Sequence, residues 1–125
     1  MKSPRKPAYH ILVVDDETSV SDSIRMVLQH HGHTVQTAEN GAAAIALLEP
    51  GHFQLVITDY LMHGMNGDEL AKTIKLRLPG LPVIMASAYA DELKTSDKLD
   101  GKVDHLLLKP FSIAELNEAI AHVMG

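Results

Sequence analysis

Residues 10–16 read HILVVDD. The apolar run is short, rich in β-branched side chains and free of polar alternation. That pattern suits a strand covered on both faces, the habit of parallel sheets. It stops abruptly at two aspartates. Three later stretches repeat the design: 53–58 (FQLVIT) ends at Asp59, 81–86 (LPVIMA) ends at Ser87, and 104–108 (DHLLL) ends at Lys109-Pro110. Residues 34–38 (TVQTA) alternate in the manner of an edge strand.

Helical periods fill the gaps. Val20, Ile24, Val27, Leu28 and His31 share one helix face, and Gly32 ends it. Asn40-Gly41 caps a helix of small residues through Leu48, with Pro50-Gly51 as its stop. Asn66 with Glu69 has the form of a capping box, ahead of the stripe Leu70, Ala71, Ile74 and Leu78. Residues 91–99 read as a short polar helix. Ser112 with Glu115 is a second capping box, opening a helix that carries Ile113, Leu116, Ile120 and Val123.

Five strands alternating with five helices predict an α/β fold. Connections of this length make right-handed parallel crossovers, so the expected sheet is doubly wound and flavodoxin-like, with strand order 2-1-3-4-5. Residues 1–8, with two prolines and three positive charges, read as a flexible lead-in to one domain over 9–125. The whole chain has 125 residues, 46% of them apolar, enough for one core without staples. No cysteine is present, which excludes disulfides, thiolate metal sites and cysteine nucleophiles. Formal charge is −5, and −8 without Lys2, Arg5 and Lys6. An acidic body predicts no direct nucleic-acid binding. The absence of a long apolar run or a secretory leader predicts a cytoplasmic protein that does not enter a membrane.

In the expected topology the strand ends gather Asp15, Asp16, Asp59, Ser87 and Lys109 on one edge. Three carboxylates crowded together repel one another and call for a cation. An all-oxygen set selects a hard divalent ion, Mg²⁺ or Mn²⁺. Lys109 adds a compact positive charge and Ser87 a hydroxyl, a combination suited to the oxygens of a phosphoryl group in transfer. With no cysteine, and no base beside Ser87, the attacking group is a carboxylate. Asp59 is the best candidate, because it lies between the other groups and beside the reversal of strand order.

VVDDE at 13–17, VITDYLMHGMNGDEL at 56–70, VIMASAY at 83–89 and LLKPF at 107–111 together resemble the receiver (response-regulator) domain of two-component signalling. The resemblance covers about residues 9–124. It implies Asp59 as phosphoacceptor and Asp16 as a direct metal carboxylate, with Asp15 acting largely through water. It implies the backbone carbonyl of Leu61 as a further ligand, Ser87 as the switch hydroxyl, Lys109 as the ion-pairing cation and a cis Lys109–Pro110 peptide. A sensor histidine kinase or histidine phosphotransfer domain would be the phosphodonor, and an unidentified protein the downstream target. The domain would catalyse only its own phosphorylation and slow dephosphorylation.

Two positions depart from the family pattern. The usual Met-Pro-Gly after the phosphoacceptor is Met62-His63-Gly64, which frees the backbone at His63. The aromatic that commonly stands three residues before the lysine is Leu106, and His105 takes its place if the strand register turns it outward. Two other functions compete: a docking module that has lost phosphorylation, and an aspartyl-phosphate phosphatase. The second lacks the Asp-x-Asp pattern after the first strand, since Thr18 follows Asp16 by two. The sequence suits either a stand-alone receiver or part of a larger regulator or hybrid kinase.

Overall fold

A computed structural model describes residues 8–96, 99 and 101–125; the expected lead-in over 1–7, and positions 97 and 98 of the expected 91–99 helix, lie outside the described residues. Strands and helices alternate: β1 (His10–Val14), α1 (Thr18–His30), β2 (Thr34–Ala38), α2 (Gly41–Gly51), β3 (Leu55–Asp59), α3 (Gly67–Arg77), β4 (Val83–Ser87), α4 (Ala90–Lys94), β5 (His105–Leu108) and α5 (Ile113–Met124). The strands form one sheet in the order β2-β1-β3-β4-β5, every neighbouring pair parallel.

Alternation along each strand divides the core in two. Leu12, Val14, Val56, Val83 and Met85 face the side of α2, α3 and α4, where they meet Leu48, Leu70, Ile74 and Leu93. Ile11, Val13, Leu55, Ile57, Ile84 and Leu107 face the other side, against Ile24 and Leu28 of α1 and Leu116 and Ile120 of α5. Both faces are covered, which matches the lack of a polar face in β1, β3 and β4; edge strand β2 alternates instead. Among the described residues no helix is long and apolar enough to cross a membrane.

Several boundaries differ from the sequence reading. Helix α2 runs through Pro50 to Gly51, and His52 closes it in the left-handed region at φ 52°. Pro50 has no N–H to give the Ala46 carbonyl, so the last turn of α2 lacks one helical hydrogen bond. Gly51 serves packing: a Cβ there would fall on the Phe53 ring. Strand β3 starts at Leu55; Phe53 precedes it and packs its ring on His10, with centroids 4.2 Å apart. Asp104 is outside β5, and its Oδ2 accepts from Val83 N–H and the Lys75 ammonium, both at 2.7 Å. Asn66 makes no capping bond on α3; its Oδ1 accepts from Met62 N–H at 3.3 Å and closes the β3–α3 loop instead.

The other caps form as read. Asn40 Oδ1 accepts from Ala43 N–H. Ser112 Oγ accepts from Glu115 N–H, and Glu115 Oε1 accepts from Ser112 N–H, both at 3.1 Å. Ser112→Ala is expected to cost about 1 kcal/mol of unfolding free energy with an unchanged m-value in urea titration. No loss would mean that α5 is held by packing alone.

β5 also settles where His105 points. It lies on the α5 side, its ring 5.2 Å from that of His122, while Leu106 packs on the opposite side with the α4 cluster. His105 therefore does not occupy the side on which a ring at position 106 would sit. Burial, reinforced by the charges of His122 and Lys94, lowers its pKa and favours the neutral ring.

Candidate functional site

Parallel order carries the carboxyl ends of β1, β3, β4 and β5 to one edge, and the first residues beyond or at those ends are polar. Asp15 follows β1, with its N–H donating to Ala38 O on β2. Asp59 is the last residue of β3, opposite Ala86 on β4. Ser87 ends β4, and Lys109 follows β5 with its N–H on Ser87 O at 2.9 Å. The Lys109–Pro110 bond is cis.

The side chains converge. Lys109 Nζ lies 3.0 Å from Asp59 Oδ1 and 3.3 Å from Asp15 Oδ2. Asp15 is almost fully buried, and its Oδ1 accepts from Glu17 N–H at 2.9 Å, which fixes the entry to α1. Asp16 is half-buried, and its Oδ2 meets His63 twice: the backbone N–H at 3.1 Å and the ring Nδ1 at 2.8 Å. Replacing the family's proline with histidine thus supplies a donor that ties the β3–α3 loop to the β1–α1 loop. Nothing in the local pattern around His63 signals this contact, because its partner is 47 positions away.

Ser87 is buried and its Oγ accepts from Tyr89 N–H at 2.9 Å, so the hydroxyl proton is directed elsewhere. Leu61 stands two residues past Asp59 with its side chain largely in solvent, as does that of Tyr89 beyond Ser87.

Three carboxylates face one ammonium. Burial pushes the Asp59 carboxyl above the usual aspartate range; the Lys109 hydrogen bond and charge pull the other way, and the charge of Asp15 adds to the rise. Burial pulls Lys109 down, but its hydrogen bond to Asp59 and the charges of Asp59 and Asp15 outweigh that and hold its pKa above the ordinary lysine value. The His63 backbone hydrogen bond, more than any other contact, lowers the pKa of Asp16 and keeps it ionised.

Among the described residues, Asp15, Asp16 and Asp59 form the group able to hold an ion, each offering an oxygen within 4.8 Å of the others. Ligands on opposite sides of a magnesium ion stand about 4.2 Å apart, so a small closure suffices. Surplus negative charge and hard oxygen donors fit a hard divalent cation, and the donor set offers nothing softer than carboxylate within that group.

Comparison with known proteins agrees with this fold. The family model for the response regulator receiver domain matches residues 11–121. The transcriptional regulatory protein TcrA of Mycobacterium tuberculosis is 32% identical over 112 residues, covering 90% of this chain and 44% of TcrA. The chain therefore spans less than half of that relative. The chemotaxis protein CheY-3 of Vibrio cholerae is 34% identical over 113 residues, 88% of this chain and 87% of CheY-3. Among solved structures, the response regulator TrrA of Thermotoga maritima, in complex with Mg²⁺-BeF, superposes with a TM-score of 0.84 at 31% identity, covering 92% of this chain and 98% of TrrA. A parallel sheet that brings separated acids to one lysine, matched along nearly its whole length by one family model, makes this chain a member of the response regulator receiver domain family.

Proposed function

We propose that the chain is a phosphorylation-dependent switch that accepts a phosphoryl group on Asp59 from a phosphohistidine of a sensor kinase or a histidine phosphotransfer domain in the cytoplasm. The clustering of Asp15, Asp16 and Asp59, with Lys109 paired to Asp15 and Asp59, carries the reading. An Asp59 carboxylate oxygen attacks phosphorus, the P–N bond breaks, and the imidazole leaves with its electron pair, which a proton then takes up. A Mg²⁺ ion held by Asp15, Asp16, Asp59 and the Leu61 carbonyl would neutralise charge on the phosphoryl oxygens. Mn²⁺ would serve in its place. Lys109 already lies against Asp59 and pairs with another of those oxygens. Ser87 sits one strand away with its hydroxyl proton available to donate to a third.

Phosphorylation adds roughly two negative charges at the end of β3. Ser87 and the loop through Tyr89 move toward them, and because that loop runs directly into α4, the face of α4, β5 and α5 changes with it. A downstream protein reads that face. With an aliphatic Leu106 and His105 turned to α5, transmission runs through the β4–α4 backbone rather than through a swinging ring.

Beryllofluoride with Mg²⁺ tests the reading, because TrrA takes that pair of ligands. Amide NMR is expected to show saturable shifts at Ser87, Tyr89, Lys109 and α4 that need both components. Their absence would favour the docking-module alternative. Turnover of p-nitrophenyl phosphate, expected to be essentially nil, separates the switch from a phosphatase.

A further inference from the structure

The carboxylate group is all oxygen, yet a nitrogen stands beside it. His63 Nδ1 is 2.8 Å from Asp16 Oδ2, and the His63 backbone N–H anchors the same residue to the same oxygen at 3.1 Å. Two ligands at right angles around an ion with bonds of about 2.1 Å stand about 3.0 Å apart. The separation of the Asp16 oxygen and the imidazole nitrogen is therefore that of adjacent ligands on one ion. The imidazole is fully exposed, so no packing has to break for the ring to turn, while its backbone stays tethered to the site.

We propose that His63 gives the divalent-ion site a nitrogen donor, so that it takes borderline transition-metal ions such as Co²⁺ with a preference over Mg²⁺ that its carboxylates alone would not produce. The inference rests on the reading of Asp15, Asp16 and Asp59 as an ion site. Imidazole nitrogen is a good ligand for first-row transition ions and a poor one for magnesium, which keeps oxygen and water. Asp16 holds the ion, and His63, reaching across from the β3–α3 loop, occupies a position that water would otherwise fill. The ring loses its hydrogen bond to Asp16 Oδ2 on binding, but the backbone N–H keeps that oxygen oriented.

A simple hydrogen-bonding role predicts something different. If the ring only orients Asp16, its loss weakens every ion in the same proportion, because it acts through the shared carboxylate. If it ligates, its loss weakens Co²⁺ selectively.

The test uses the full chain at one fixed, mildly alkaline pH, with Co²⁺ and Mg²⁺ affinities measured by calorimetry on wild type and His63→Ala. Only Co²⁺ that Mg²⁺ displaces is counted, which removes binding by exposed histidines such as His30 and His31. The alanine variant keeps the backbone donor, so the comparison isolates the ring. Co²⁺ affinity is expected to fall about tenfold while Mg²⁺ affinity stays within about twofold. Pulsed EPR of the Mn²⁺-loaded wild type is expected to show coupling to an imidazole nitrogen that His63→Ala lacks. Equal losses for both ions, or unchanged selectivity with no nitrogen coupling, would overturn the proposal and leave the carboxylate site standing. Failure of wild type to bind either ion would overturn the ion site itself, and this inference with it.

Discussion

Asp59→Asn is expected to end covalent labelling by acetyl phosphate and Mg²⁺, with the rate reduced at least about a thousandfold. Wild type should gain the mass of one phosphoryl group and the variant none. The substitution keeps the volume of the side chain and removes its nucleophilic oxygen. Neighbouring acids offer no substitute. Asp15 is almost fully buried, with one oxygen on Glu17 N–H and the other on Lys109. Asp16 is oriented by His63 on a different loop. Undiminished labelling of the variant would remove Asp59 from its role.

The same substitution has a stability consequence whose sign follows from burial. The Asp59 carboxyl titrates above the ordinary aspartate value. Between its unfolded and its folded pKa, the native state holds the proton more tightly than the unfolded chain does. Stability therefore falls as pH rises through that window, and above it the ionised Asp59 is a standing destabilisation. Asp59→Asn should then raise the metal-free Tm at neutral pH by a few degrees, with the difference vanishing in acid. Added Mg²⁺ should reverse the order, because an ion that binds only the native state stabilises wild type, and the variant has lost a ligand. An identical Mg²⁺ response from both proteins would place Asp59 outside the ion's reach.

How much of this was legible in the sequence depends on the range of each interaction. Asp15, Asp59, Ser87 and Lys109 were readable because each stands at the end of an apolar run, and parallel order alone carries such ends to one edge. The fold followed from the same runs, whose lack of a polar face already required cover on both sides. His63 was not readable as a neighbour of Asp16, because the contact depends on how two loops far apart in sequence pass each other. Asn66 has the pattern of a cap, but tertiary geometry gave its side chain to Met62 N–H. Pro50 marks a stop by propensity, yet the packing of α2 on the sheet carries the helix one residue past it.

Gly67 illustrates that limit most sharply, and Gly67→Ala is expected to destabilise the protein by about 2–3 kcal/mol and lower its Tm by about 10 °C. Propensity alone argues the other way: in the first turn of a helix, alanine would gain up to about 1 kcal/mol over glycine. Sterics win here. A Cβ at position 67 would fall on the backbone carbonyl oxygen of Asp59, well inside contact distance, and 3.0 Å from Tyr60 Cα. Neither atom can step aside cheaply. Gly67 N–H donates to Tyr60 O at 2.7 Å, and Tyr60 N–H donates to Ala86 O at 3.0 Å, so the loop is pinned at both ends. Relief must come from displacing the end of β3, which carries Asp59, so acetyl phosphate labelling should fall at least about tenfold as well. Gly41→Ala is the matched control. Its Cβ would meet the Met65 thioether at 2.6 Å, but that is the flexible part of a side chain and can swing away. Its cost should stay below about 1 kcal/mol with labelling intact. A Gly67→Ala protein as stable and as readily labelled as wild type would show that the junction of β3 and α3 yields without disturbing Asp59.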